Sequence, residues 1–374
     1  MSPPLAREDF HVPGPGPYAL THSVGCLPRS APARLQAHFL EPWQQRGGDA
    51  WGEWLGEIDG FRAALAALFG GEAAHYCPQA NLSSGLVKLL GALPRPDARR
   101  RVWLASEDAF PSLGFVLGQA QRDGFELQFI RRGKDPSDPA TWAERIDADT
   151  FGVLVTHVHS NTGVVTPVAE VARLCAERGS HCVVDVAQSA GILPFSIAEL
   201  GASVVLGSCI KWLCGGPGAG FLWIDPRLGA AIEPRDVGWF SHADPFEFDI
   251  HAWRPAPDAR RFWGGTPAVA PFVIAAESLR RLHSTGIDAV LRHNRQLRQA
   301  FVDELPPAWR DRVPTAGTGG TLCLPLGASF EAVTRALAAD AVRFDSRGPV
   351  LRLSFHLCND LADAARIARA WQGC

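Results

Sequence analysis

A lysine and an aspartate, each just past a short apolar run, are the residues of this sequence best placed to do chemistry. HCVVDVAQSAG sets Asp185 at the end of one run, and SVVLGSCIKWLCGGPGAG sets Lys211 beyond the next, 26 residues on. An amine held away from water sheds its proton readily, condenses with an aldehyde to an imine, and can then act as a base. A carboxylate facing a pyridine nitrogen keeps that nitrogen protonated and makes the ring an electron sink. Singly, each has a plain structural reading, since a strand-end aspartate caps turns and a loop lysine is solvated. Together they meet the two demands of a pyridine-aldehyde cofactor.

Other residues could complete such a site. ANLSSGL runs into the helical VKLLGAL, which places Ser83 and Ser84 at a helix N-terminus, a ready anion site for a phosphate. Taken alone, serines there serve as N-caps. Phe110, in SEDAFPS after the run RVWLAS, could stack on an aromatic ring, although a phenylalanine in that place is ordinarily core. Asn161 and Thr162 follow a third apolar run in GVLVTHVHSNTGVVTP. Arg352 interrupts the apolar strand VLRLSF, where its planar fork suits a substrate carboxylate or, equally, a structural acid.

These residues need a scaffold, and the central third of the chain supplies one. The runs RVWLAS, ELQFIRR, GVLVTHV, HCVVDVA, SVVLGS and GFLWID alternate with helical stretches. Continuous apolar runs of that length read as strands buried on both faces of a mostly parallel sheet. PVAEVARLCAERG is the clearest helix, with Pro167 near its start and Gly179 at its end. The rhythm predicts a doubly wound α/β domain over residues 59–270, and ligands of such sheets bind at the carboxyl ends of the strands. Residues 271–374 predict a smaller α+β domain, with strands in TGGTLCLPL and PVLRLSFHL and helices in FEAVTRALAAD and DLADAARIARAW. Residues 1–58 predict an extended proline-rich arm and amphipathic helices, broken by Gly-Gly, that contribute to the smaller domain.

DVAQSAG, SCIKWLCGGPGAGFLW, GWFSHADPFEF and FWGGTP, in that order, resemble kynureninase and its neighbours among the class V aminotransferases, with weaker similarity from THSVGCLPRS to VLRLSF. The resemblance implies a fold-type I enzyme dependent on pyridoxal 5'-phosphate. It implies Lys211 as the imine-forming lysine and proton shuttle, Asp185 on the pyridine nitrogen, Phe110 on the ring, and Ser83 and Ser84 on the phosphate. Gln188 would hydrogen-bond the cofactor or substrate, Trp239 and Thr266 would reach the phosphate across a homodimer interface, and Arg352, with Asn161, would hold a small amino-acid substrate. Two departures bear on the reaction. Ile210 stands before the lysine where kynureninase-like chains carry Tyr, and Gln188 stands where they carry His. Glutamine cannot donate a proton as an acid.

The expected reaction is hydrolytic Cβ–Cγ cleavage of a β-acyl amino acid. Aminotransfer and β-elimination or C–S cleavage keep the cofactor and change the bond. The alternative from another class, a non-catalytic cofactor-binding module, sits poorly with Lys211, Asp185 and Arg352 all present. A desulfurase would require a mobile nucleophilic cysteine, which neither Cys323 nor Cys358 offers by position. A net charge of −3 gives no electrostatic case for nucleic acid or an anionic membrane. No stretch has the roughly 20 apolar residues of a membrane span, and the start lacks a signal-peptide pattern, so a cytoplasmic location is expected. The nine cysteines show no zinc-type spacing and read as reduced thiols. His157 and His159 lack a third ligand, so no metal is expected.

Overall fold

The computed structural model describes residues 5–97, 99–314 and 317–372; the first four residues of the expected arm lie outside it. The arm is extended but anchored. Its β1 (Phe10–His11) pairs antiparallel with β2 (Leu27–Pro28). A helical stretch follows, Ala31–Leu35 running through a wider turn at Gln36–Leu40 into Glu41–Arg46, and it stops at Gly47 with φ +53°. The long Trp51–Phe69 helix then packs on the Ala270–Thr285 helix.

Seven strands form the large sheet: β3 (Tyr76–Gln79), β4 (Val102–Ser106), β5 (Glu126–Ile130), β6 (Thr150–Thr156), β7 (His181–Asp185), β8 (Val204–Ser208) and β9 (Gly220–Ile224), in the order β3-β9-β8-β7-β6-β4-β5. β4 to β8 are parallel. β9, expected from the sequence as one more buried strand, runs antiparallel to both β8 and β3. From β4 the chain steps outward to β5 and then back past itself to β6, β7 and β8, so the order reverses between β4 and β6. That reversal opens the crevice where ligands of doubly wound sheets sit.

The apolar runs are continuous because both faces are covered, and successive side chains alternate between them. Leu104, Val155, Val184, Val205 and Trp223 join one apolar cluster, together with Phe61 and Leu65 of the Trp51–Phe69 helix. Trp103, Leu154, Val183, Leu206 and Leu222 join the other, against the Leu82–Ala92 and Pro111–Ala120 helices. β3 gave no sequence signal because Pro78 interrupts it; the strand tolerates proline by lying at the sheet edge. Pro167 and Gly179 bracket the Val168–Arg178 helix, as the sequence predicted, with Gly179 left-handed at φ +66°.

The second sheet is antiparallel, β10 (Thr321–Pro325), β11 (Asp345–Arg347) and β12 (Val350–Ser354), with β12 central. Leu322, Leu324, Leu351 and Leu353 meet Phe301 and Trp371 in its core, beside the Ile287–Glu304, Phe330–Ala339 and Leu361–Ala368 helices. The arm runs along this sheet, bridging Tyr18 to Arg343 and Leu20 to Ser354. It then turns onto the large sheet at Gly25, whose N–H donates to the Ile210 carbonyl at 2.7 Å. A Cβ at Gly25 would stand 2.2 Å from the Lys211 carbonyl oxygen, so only glycine lets the arm lie there.

Candidate active site

A cavity of about 530 Å³ opens at the carboxyl ends of the central strands. Asp185 ends β7, Thr156 ends β6 beside it in register, and Ser208 ends β8. Lys211 follows in the turn after β8, which its own carbonyl closes by accepting from the Cys214 N–H at 2.9 Å. Lys211 faces the cavity but is enclosed by protein. Burial pushes its ammonium down from 10.5 to about 8 against the pull of Asp185, and Arg352 and Arg347 add to the fall. Asp185 is 5% exposed. Burial pushes its carboxyl up, opposed by the Ala187 N–H at 2.8 Å and by Lys211.

Lys211 and Asp185 both line the cavity, and each favours the other's charged form. Phe110, the residue before the Pro111–Ala120 helix, closes one wall, its ring centroid 5.6 Å from the Lys211 Nζ. Gln188 is fixed at both ends of its amide: Nε2 donates to the His22 carbonyl at 3.0 Å and Oε1 accepts from Trp212 Nε1 at 3.2 Å.

Not every expected residue stands in this cavity. Ser83 lines it from the first turn of the Leu82–Ala92 helix, but Ser84 does not, and its hydroxyl bonds Asn81 Oδ1 at 3.2 Å. The cap of that helix is Asn81, which accepts from the Ser84 N–H at 2.9 Å. Asn161 does not line the cavity: its Nδ2 donates to Asp108 at 2.9 Å, its Oδ1 is buried without a partner, and the neighbouring Ser160 is the one in the wall. Trp239 and Thr266 meet each other, Nε1 to Oγ1 at 3.2 Å, but lie outside the cavity wall of this single chain. Arg352 is in the wall, 2% exposed and paired with Asp345. The buried Nδ1 of His157 meets no partner, and the His159 ring nitrogens face the Asp108 carbonyl and the Thr166 hydroxyl. No group of three metal-ligating side chains occurs among the described residues.

His22, Thr156, Asp345 and Arg347 were missed. The signal for Thr156 was available, a polar residue ending an apolar strand beside the strand that carries Asp185. The other three come from the arm and from β11, far off in sequence.

The residues present fit a phosphorylated pyridine aldehyde. Thr156 Oγ1 is buried without a partner in the protein, beside Asp185 in the cavity wall. An unmet buried hydroxyl costs about 1–3 kcal/mol, so the site is built to be filled by a hydrogen-bonding group. Lys211, Asp185 and Phe110 face the same space, with the helix N-terminus at Ser83 on its rim.

Comparison with known proteins identifies the family. A family model described as aminotransferase class-V matches residues 116–314. A kynureninase of Deinococcus radiodurans is 32% identical over 81% of this chain and 75% of its own length. One of Burkholderia pseudomallei is 30% identical over 80% and 73%. Among solved structures, the cysteine desulfurase of Thermococcus onnurineus superposes with a TM-score of 0.85 at 19% identity, covering 99% of this chain and 98% of that one. A variant of C-DES, solved with glycine covalently linked to its pyridoxal-phosphate cofactor, gives 0.86 at 21% identity, with 98% of each chain covered. These two share the fold-type I architecture. The chain belongs to the class-V aminotransferase family and is a pyridoxal-phosphate-dependent enzyme.

Proposed function

We propose that this enzyme hydrolyses the Cβ–Cγ bond of a β-acyl amino acid, releasing alanine and a carboxylic acid. The likeness to kynureninases over four-fifths of the chain carries the reading. When bound, pyridoxal phosphate supplies an electron sink for the carbanion chemistry. Lys211, whose amine burial brings down to about 8, moves the proton at Cα. Asp185 would keep the ring nitrogen protonated, Phe110 would pack against the ring, and Ser83 and Thr156 would offer hydroxyls to the cofactor. Arg352 holds the substrate carboxylate. Residues 59–270 form the cofactor-binding domain, and residues 271–374, with the arm, form the smaller domain that brings Arg352 to the cavity. Trp239, stacked on the exposed Phe248 and bonded to Thr266, lies outside its own cavity, and the pair suits a homodimer in which they complete the partner's site.

Ile210 favours a second reading. It lines the cavity and puts hydrocarbon where kynureninase-like chains carry a hydrogen-bonding tyrosine. That suits transamination or β-elimination, which need no water held at a γ-carbonyl. Cysteine-based desulfuration is poorly supported, because Cys323 and Cys358 are both buried and burial pushes the Cys323 thiol up to about 12. The holoenzyme with L-kynurenine and 3-hydroxykynurenine decides between these: equimolar alanine with anthranilate fluorescence supports hydrolysis. Turnover of amino acids without that pair of products moves the assignment to the second reading.

A further inference from the structure

Arg352 lies in the middle of β12, opposite Asp345 of β11 in register. Its Nε donates to Asp345 Oδ1 at 2.8 Å, Nη2 donates to Oδ2, and Nη1 donates to the Ser160 carbonyl at 2.8 Å. A guanidinium has five N–H donors. These contacts use three and leave one on each terminal nitrogen, in the wall of the cavity.

Asp345 is itself held. His22 Nε2 stands 2.9 Å from Asp345 Oδ1, and His22 Nδ1 stands 2.8 Å from Ser354 Oγ. A carboxylate only accepts, so Nε2 carries the hydrogen and Nδ1 accepts from the serine hydroxyl. Burial holds His22 below its ordinary value, which keeps the ring in that neutral form. Burial alone would raise the Asp345 carboxyl, but His22 and Arg352 hold it down at about 2. The belt continues through the His22 carbonyl to Gln188 and from Gln188 to Trp212, the residue after Lys211.

We infer that Asp345 is a positioning residue that makes Arg352 a carboxylate receptor, and that His22 fixes Asp345 for this task; this rests on the reading of Arg352 as the carboxylate site. Two physical reasons support it. Arg352 is 2% exposed, and a guanidinium so buried needs a counter-charge to stay in the wall. With its charge met by Asp345, Arg352 recognises a ligand by its two remaining N–H groups. A planar carboxylate answers those groups, and an amine without one does not.

L-alanine and ethylamine, which share the amine and differ by the carboxylate, are the probes. Their affinity for the holoenzyme is read from the change in cofactor absorbance. Asp345→Asn is expected to weaken L-alanine by about 10- to 100-fold and to leave ethylamine within about 3-fold, the loss being that of a charge-assisted hydrogen-bond geometry. His22→Gln is expected to show the same pattern at about 3- to 10-fold, and it carries the test if Asp345→Asn fails to fold. Equal weakening of both probes, or of neither, overturns the positioning role. Arg352→Gln tells the two readings apart: if it spares L-alanine, the carboxylate assignment itself is wrong. If it weakens L-alanine while Asp345→Asn and His22→Gln do not, the assignment stands and the positioning role alone falls.

Discussion

Replacing Lys211 by methionine should stabilise the protein when the cofactor is absent. The folded-state pKa of Lys211 lies at about 8 against an ordinary 10.5, chiefly because the amine is buried. Between those values the unfolded chain binds the proton that the folded chain has lost, so stability rises with pH across the window and this group's penalty is largest below it. At about 1.36 kcal/mol per pH unit, the gap sets a ceiling of about 3 kcal/mol at pH 7. Part of that is returned, because Asp185, already pushed up by burial, loses the lysine that helps keep it ionised. A net gain of about 2 kcal/mol is expected, the methionine filling nearly the same volume without a charge to desolvate. The assay is urea unfolding of the apoproteins at 25 °C from pH 6 to pH 10.5, the cofactor being removed because it would stabilise the native state by mass action. The Lys211→Met advantage should be constant below about pH 7 and shrink as pH rises through 8 toward 10.5. A variant less stable than wild type at pH 7, or an advantage that does not shrink with pH, would refute the burial argument.

Three further outcomes are expected. Phe110→Ala should loosen the cofactor by about 5- to 10-fold, the worth of one aromatic contact of about 1 kcal/mol, read by equilibrium titration of the apoprotein. Gly207→Ala should destabilise the fold by about 1–3 kcal/mol through overpacking, because the new Cβ would meet the Phe221 ring at 2.0 Å; a thermal melt checks it. Cys323→Ala should leave turnover within about 3-fold, since a buried thiol pushed up to about 12 is a poor nucleophile; a loss of two orders of magnitude would instead favour a thiol-based reaction.

Much of the site was legible because the sheet's own rules put it there. Asp185 and Lys211 could be found without a structure, since strands buried on both faces stand out as unbroken apolar runs, and polar residues at their carboxyl ends are where such folds work. Phe110 and Ser83 followed from the same logic one element further on. Edge strands were harder. β3 carries a proline, and the three residues of β11 (Asp-Ser-Arg) have no apolar pattern to detect. Thr156 could have been found from its place at the end of β6.

The sequence by itself determined the α/β class, the helix ended by Gly179, the lysine and aspartate of the site and, through resemblance, the cofactor. Local patterns suffice for these, because the period of burial and the turn residues are written along the chain. Tertiary structure decided which way β9 runs, that Asn81 rather than a serine caps the Leu82–Ala92 helix, and that Asn161 donates to Asp108. It alone brought His22, Asp345 and Arg352 together, from the arm and two strands of a separate sheet. A buried guanidinium must find a counter-charge somewhere, but which carboxylate meets it depends on strand register and on where the arm crosses the sheet.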